Sequence, residues 1–238
     1  MASASDLMVG LLFVFIIMVV ILSQRVEQAE IGTHNADPPL AIVVKEIGNT
    51  IRKAGVPVVI DPASGVITLP ADTLFPHGSA DLNADGVEVL NKARVALNEI
   101  LPCYIYSERK TRHNCPSNFN DVEIETIFIE GHTDSTPLQR GIYTNWHLGL
   151  DRARAVYDLI TIGPMQLFKN ERTLDVVGIS SYADKRPVKG VISNSLSDNA
   201  KNRRVELRFV LAFKPETNRS APAVRGVQNK LQKSVIPR

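Results

Sequence analysis

From Leu7 to Leu22 the chain runs through sixteen residues that are all apolar or glycine, and nothing like this run recurs in its 238 residues. A helix rises about 1.5 Å per residue, so the run covers roughly 24 Å; Ser3 to Asp6 and Ser23 extend it to about 30 Å, the thickness of a bilayer's hydrocarbon core. The run therefore predicts one transmembrane helix over residues 1–23. A cleaved signal peptide needs positive charge before the run and a small-residue cleavage site after it. No Lys or Arg precedes Arg25, and SQRVEQAE offers a poor site, so the segment reads as a retained anchor. Arg25 alone mildly favours a cytoplasmic C-terminal side under the positive-inside rule.

Asp6 stands at the head of the run, and two roles fit it. Asp is a favoured helix N-cap, and Ser5 beside it could also serve. A carboxylate at the edge of a membrane segment can instead carry an ion along a partner helix or a water-filled path. Position alone favours the cap.

Past the anchor the chain has ordinary polarity. Its net charge of +2 argues against a nucleic-acid binder, which needs a basic field to meet phosphates. Two cysteines, Cys103 and Cys115, are too few for a disulfide scaffold and wrongly spaced for a zinc site. If they lie outside the cytoplasm, they pair.

Gln24 to Leu40 is polar and holds Gly32, Asn35, Pro38 and Pro39, which marks a linker. Glu27 and Glu30 among Val26 and Ile31 also allow a short amphipathic helix there. LAIVVKEIGNTIRKAG places Ile42, Val43, Ile47 and Ile51 at helical spacing, with Gly55 as the stop. VPVVID and GVITL read as strands across a PASG turn. DLNADGVEVLNKARVALNEIL reads as a helix capped by Asp81, with Leu82, Val87, Leu90, Ala93, Val95 and Leu97 inward. A polar insertion from about Tyr104 to Asp121 carries the cysteines. EIETIFIEGHTD is a strand running into a loop. NWHLGLDRARAVYDLITIG is a helix capped by Asn145 and ended by Gly163. TLDVVGISS and RRVELRFVLAF are strands, the last alternating Val205, Leu207 and Phe209 with Arg204, Glu206 and Arg208. The pattern predicts an α+β sandwich, a mixed sheet with helices on one face. Beyond Phe213 six basic residues and one acid form a tail without periodicity. The expected divisions are 1–23, the transmembrane helix; 24–55, a linker and helix; 56–213, the main domain; and 214–238, the basic tail.

The stretch IEGHTDSTPLQRGIYTNWHLGLDRARAV concentrates the chemistry. Asp134 lies in a loop after a strand, and Arg152 lies four residues past Leu148, on the same helix face. Such a set suits a zwitterion: an ammonium on the carboxylate, a carboxylate on the guanidinium fork and free helix N–H groups. A structural Asp–Arg brace fits equally well.

GHTD, then NWHLGLDRA, then NRRVE, in that order, resemble the OmpA-like peptidoglycan-binding domain, and LFPHGSADLNADGVEVL resembles its first strand and helix. The likeness spans roughly Gly65 to Phe213. It implies a periplasmic domain in which Asp134 holds the amine, and Arg152 the carboxylate, of a diaminopimelate in the cell-wall stem peptide. Asn145 and Leu148 match positions that shape the pocket, and Thr133 and Arg203 match family positions with weaker claims on the ligand. The serine usual after the motif leucine is Gly149 here, SSYADKRP replaces a Gly-rich stretch, and the cysteine-bearing insertion is not typical.

A single membrane helix ahead of such a domain is the layout of MotB-like stator subunits, where an acid opens the helix in a motif similar to S-D-L-M. The resemblance implies that Asp6 carries the driving ion, proton or sodium. It also implies a homodimer threaded through a ring of a MotA-like polytopic subunit in the bacterial inner membrane, N-terminus cytoplasmic. D-L-M-x-G-L-L-x-x-F is similar to the B subunit of the Zorya anti-phage motor; a flagellar-type stator and a plain wall tether are the alternatives. An enzyme is not expected, nor any cofactor or metal. His132, Asp134 and His147 match no common zinc spacing. Cys115 beside His113 is expected in a disulfide rather than as a nucleophile. No phosphate loop or nucleophile elbow appears, and no spacing singles out a pair of glycosidase carboxylates.

Overall fold

The computed structural model describes residues 8–9, 11–23, 37–109, 115, 121–138, 141–191 and 195–213. Asp6, residues 24–36 of the linker, His113 and the 214–238 tail lie outside them. Residues 11–23 form α1, and every apolar side chain from Leu11 to Leu22 is at least 45% exposed. Among the described residues, no helix is long and apolar enough to cross a membrane.

Five strands form one mixed sheet: β1 (Val59–Asp61), β2 (Val66–Pro70), β3 (Ile124–His132), β4 (Val177–Ala183) and β5 (Arg204–Leu211), in spatial order β1-β2-β5-β3-β4. β3 and β4 are parallel, and the remaining pairs are antiparallel. A parallel pair needs a crossover, which α6 (Asn145–Ile160) supplies. The last strand enters the middle of the sheet between β2 and β3, so motifs far apart in sequence meet at one end of it.

α2 (Pro39–Lys53), α4 (Ala84–Ile100) and α6 cover one face. Their stripes, Val43-Val44-Ile47-Ile51, Leu90-Ala93-Leu97 and Ala153-Val156-Ile160, bury against Ile67, Leu69, Ile127, Ile129, Val205, Leu207 and Phe209. The 3.6-residue period of the helices meets the two-residue period of the strands, which is why each element turns one side inward. Two expectations for α4 need correction. Asn83, not Asp81, is the cap: its Oδ1 accepts from Gly86 N at 2.6 Å, while Asp81 accepts from Ser79 Oγ. Val87 and Val95 are exposed, because the buried stripe follows Leu90, Ala93 and Leu97 and leaves them off it.

The second face carries the alternating charges of β5, and most of them are out of water. Arg204 and Glu206 are buried together with Glu130 and His132. The carboxylates and guanidiniums among them pair with one another. Arg204 Nε donates to Glu206 Oε1 (2.6 Å), and Arg208 donates to Glu130 Oε2 (2.8 Å) and Glu206 Oε2 (3.1 Å). His132 Nε2 lies 3.4 Å from Glu206, and its ring stacks on Tyr182. Burial opposes the Glu206 charge, but His132 and the Arg204 guanidinium outweigh it and hold the carboxyl at about 2 against its ordinary 4.5. A depressed carboxylate stabilises the fold fully above its unfolded value and loses that contribution as pH falls. The unfolding free energy read from urea titrations should therefore drop between pH 4.5 and about 2, by on the order of 2 to 3 kcal/mol. Glu206→Gln should flatten that profile and lower stability at neutral pH, since Arg204 loses its carboxylate partner and Arg208 one of its two.

The insertion begins inside the core. Tyr104 and Ile105 are buried, Tyr104 Oη donates to Glu46 Oε2 at 2.6 Å, and the backbone then turns through α5 (Tyr106–Arg109). Arg109 pairs with Glu123 and Asp121. Cys103 is bonded to Cys115, with Cα atoms 5.5 Å apart. Replacing both cysteines by serine should destabilise the chain by about 2 to 3 kcal/mol, the closure term for a loop of this length. Thermal unfolding with and without reductant measures it.

Candidate functional site

The site lies where the ends of β3, β5 and α6 converge on the turn after β2. β3 stops at His132, and Thr133 N donates to Ala183 O at 2.8 Å, tying the GHTD loop to the end of β4. Thr133 Oγ1 donates to Asp134 O, and Asp134 Oδ1 accepts from Thr136 N at 3.0 Å. These bonds fix the Asp134 carboxylate at a buried position.

α6 supplies Asn145, Leu148 and Arg152. Thr144, not Asn145, is its N-cap, and Thr144 N donates to His147 Nδ1 at 3.2 Å. Asn145 is the first helical residue. Its amide is thereby released from capping and donates to Thr136 O at 3.0 Å, bracing the loop that carries Asp134. Leu148 and Arg152 lie one turn apart and line the same small cavity, of about 50 Å³, with His77, Gly78, Thr133, Asp134, Asn145 and Arg203. α6 reaches this depth because Gly149 and Gly131 touch backbone to backbone: a Cβ on Gly131 would overlap the Gly149 carbonyl.

Arg152 is 1% exposed. Its Nε donates to Ser79 O at 2.9 Å, and its guanidinium lies over the Phe75 ring at 5.3 Å. Its Nη1 is buried and has no hydrogen-bond partner among the described residues. Burial pulls the Arg152 pKa down, and Asp72 and Asp134 partly restore it. Arg203, just before β5, bridges two acids. Nη1 donates to Asp134 Oδ2 at 2.6 Å, and Nε and Nη2 donate to the two oxygens of Asp72 at 2.8 and 2.6 Å. Those bonds hold the Asp72 carboxyl below its ordinary value.

The structure thus gathers Thr133, Asp134, Asn145, Leu148, Arg152 and Arg203 around one cavity. An ammonium at Asp134 and a carboxylate at the free Nη1 of Arg152 would both find counter-charge there. Sequence reasoning missed Asp72, Ser79 and Phe75. Phe75 and Ser79 lie in LFPHGSADLNADGVEVL, which resembled the family's first strand and helix, but Asp72 precedes that stretch and nothing in the spacing marked it as a partner of an arginine 131 residues away.

Among the described residues, the one group of His, Asp and Glu side chains close enough to share a cation is Glu130, His132 and Glu206. Arg204 and Arg208 already neutralise its carboxylates, and a buried divalent ion there would add uncompensated charge.

No protein-family model and no curated protein matches the chain. Solved structures do. The periplasmic domain of Helicobacter pylori MotB aligns at 20% identity over 72% of this chain and 87% of that one, with a TM-score of 0.40. The cell wall anchor of the T6SS from Pseudomonas aeruginosa aligns at 22% identity over 76% and 100%, TM-score 0.45. A putative MotB like protein from Desulfovibrio vulgaris aligns at 22% identity over 75% and 96%, TM-score 0.46.

Proposed function

We propose that the chain is a cell-wall anchor whose main domain, residues 56–213, grips the diaminopimelate of a peptidoglycan stem peptide. One observation carries this reading: a buried arginine, Arg152, keeps a donor without a partner in the cavity that Asp134 also lines. An unsatisfied buried donor costs the fold stability, and a ligand carboxylate removes that cost. The ligand's ammonium goes to Asp134. Leu148 supports its aliphatic chain, Asn145 and Thr133 hold the loop, and Arg203 flanks the amine site. The full chain should co-sediment with purified sacculi and be released by excess free meso-diaminopimelate. Retention in the presence of that competitor contradicts the reading.

The anchor serves an ion-driven rotary motor. Residues 1–23 cross the inner membrane with the N-terminus in the cytoplasm and the domain in the periplasm, where the Cys103–Cys115 bond suits an oxidising compartment. The exposed apolar surface of α1 supports a lipid or helix partner. Asp6 loads and unloads the driving ion while a ring of a MotA-like polytopic subunit turns around a homodimer of this chain, and the wall-bound domains take up the torque. The S-D-L-M motif at Asp6 favours a stator over a plain tether, and the D-L-M-x-G-L-L-x-x-F-I wording that follows favours the Zorya-type anti-phage motor over a flagellar-type stator. Native mass analysis of the detergent-extracted complex should find two copies of this chain with one polytopic ring. Asp6→Asn should leave that assembly intact and abolish phage resistance. A tether would keep its output with Asn at this position.

A further inference from the structure

The cavity of about 50 Å³ has room for about three to five water-sized groups, at roughly 10 to 15 Å³ each. The head group of an amino acid has five heavy atoms, and Asp134 Oδ2 is already taken by Arg203 Nη1 at 2.6 Å. In the resting site an internal cation thus occupies the ammonium's counter-charge. For an amine to reach Asp134, Arg203 must give up that bond without leaving its own charge unpaired.

Asp72 provides the alternative. It lies in the first turn of α3 (Ala71–Leu74), outside the residues that line the cavity, with its side chain 46% exposed. It already receives two parallel bonds from Arg203, the fork geometry that holds a guanidinium most firmly. The backbone reinforces the pairing, since Ala71 N donates to Arg203 O at 3.1 Å. Two acids and two arginines, Asp72, Asp134, Arg152 and Arg203, make the resting network neutral, and a zwitterion entering it keeps it neutral.

We propose that Asp72 is a positioning residue for ligand binding: it holds Arg203 by two bonds, so that Arg203 can hand Asp134 over to an incoming ammonium. Arg203 acts as an exchangeable latch, and Asp72 is the support that lets it open. Without Asp72, Arg203 turns its full fork onto Asp134 and closes the amine site. This inference rests on the wall-anchor reading above.

The test is a double-mutant cycle on the detergent-solubilised full chain, titrated calorimetrically with a tripeptide stem ending in meso-diaminopimelate. Asp72→Asn should weaken binding about tenfold, the scale of coupling within one ion-pair network. Asp72→Glu should restore it to within about threefold of wild type, since the longer acid keeps the fork. In an Arg203→Gln background the latch is gone, so adding Asp72→Asn should change affinity by less than about twofold. An equal loss from Asp72→Asn in both backgrounds overturns the inference, as does wild-type affinity in the single variant. If the wild-type chain itself does not bind the tripeptide, the anchor reading falls and this inference with it. Thermal midpoints of all five proteins separate a folding defect from a lost latch.

Discussion

Arg152→Met in the full chain should raise the dissociation constant for a diaminopimelate-bearing stem peptide by about a hundredfold or more, with little loss of thermal stability. The two halves of this expectation come from the same geometry. In the proposed complex, Arg152 would be the cation that meets the ligand carboxylate in a desolvated place. Removing it leaves a buried anion without counter-charge, a loss usually worth about 2 to 5 kcal/mol. In the free protein the guanidinium makes one bond to Ser79 O, rests on the Phe75 ring and leaves Nη1 unsatisfied. Methionine keeps the apolar stem against Phe75 and removes the unsatisfied donor, so the free fold loses little. A structural brace would behave differently. If Arg152 served mainly to tie α6 to the turn at Ser79, the melting temperature should fall markedly while the affinity of the folded fraction stayed unchanged. Calorimetric titration and thermal unfolding on the same samples decide between the two.

Gly131→Ala should be the most damaging small substitution in the domain, costing about 3 kcal/mol or more. The added Cβ would overlap the carbonyl oxygen and carbon of Gly149, backbone atoms inside α6 that cannot rotate away. α6 would have to lift from β3, taking Leu148 and Arg152 with it, so chain that still folds should also bind the wall peptide poorly. Gly149→Ser should be milder. Its Cβ meets chiefly the Ser181 hydroxyl, a side chain that can move, and lies 3.0 Å from Gly131 O. That contact also accounts for the glycine at a position where the resembling family has serine. Ser181 of β4 sends its own hydroxyl into the space, donating to Trp146 O at 3.1 Å. Gly149→Ser paired with Ser181→Gly should recover part of the stability that Gly149→Ser loses, as read from urea midpoints.

Much of the architecture was legible because local patterns and burial agree. The alternation of Val205, Leu207 and Phe209 and the helical stripes of α2 and α6 each face the one core. What misled the reading was chemistry that depends on a distant partner. The alternation along β5 did not show that Glu206 and Arg204 are buried, which follows from β3 bringing Glu130 and His132 beside them. Tyr104 opens a stretch that reads as a polar insertion, yet it is buried, with its hydroxyl donating a hydrogen bond to Glu46 of α2. Helix starts were displaced for a related reason. Asp81 and Asn145 are both good caps by type, but each is engaged elsewhere in its turn or loop, and Asn83 and Thr144 take the cap positions. The candidate site followed the same division. The order of motifs around Asp134 and Arg152 was readable along the chain. The bridge from Arg203 to Asp72 was not, since it exists only once β5 lies beside β2.

The central claim is that Asp134 and Arg152 together recognise a zwitterionic head. It is tested most directly by titrating the detergent-solubilised full chain with two tripeptide stems that differ only at the third residue, meso-diaminopimelate or L-lysine. Both side chains end in an amine, but only the first carries a carboxylate beside it for Arg152. The account predicts saturable binding of the diaminopimelate peptide and affinity lower by about a hundredfold or more for the lysine peptide, the worth of one desolvated charge pair. Equal affinity for the two, or none for either, would contradict it.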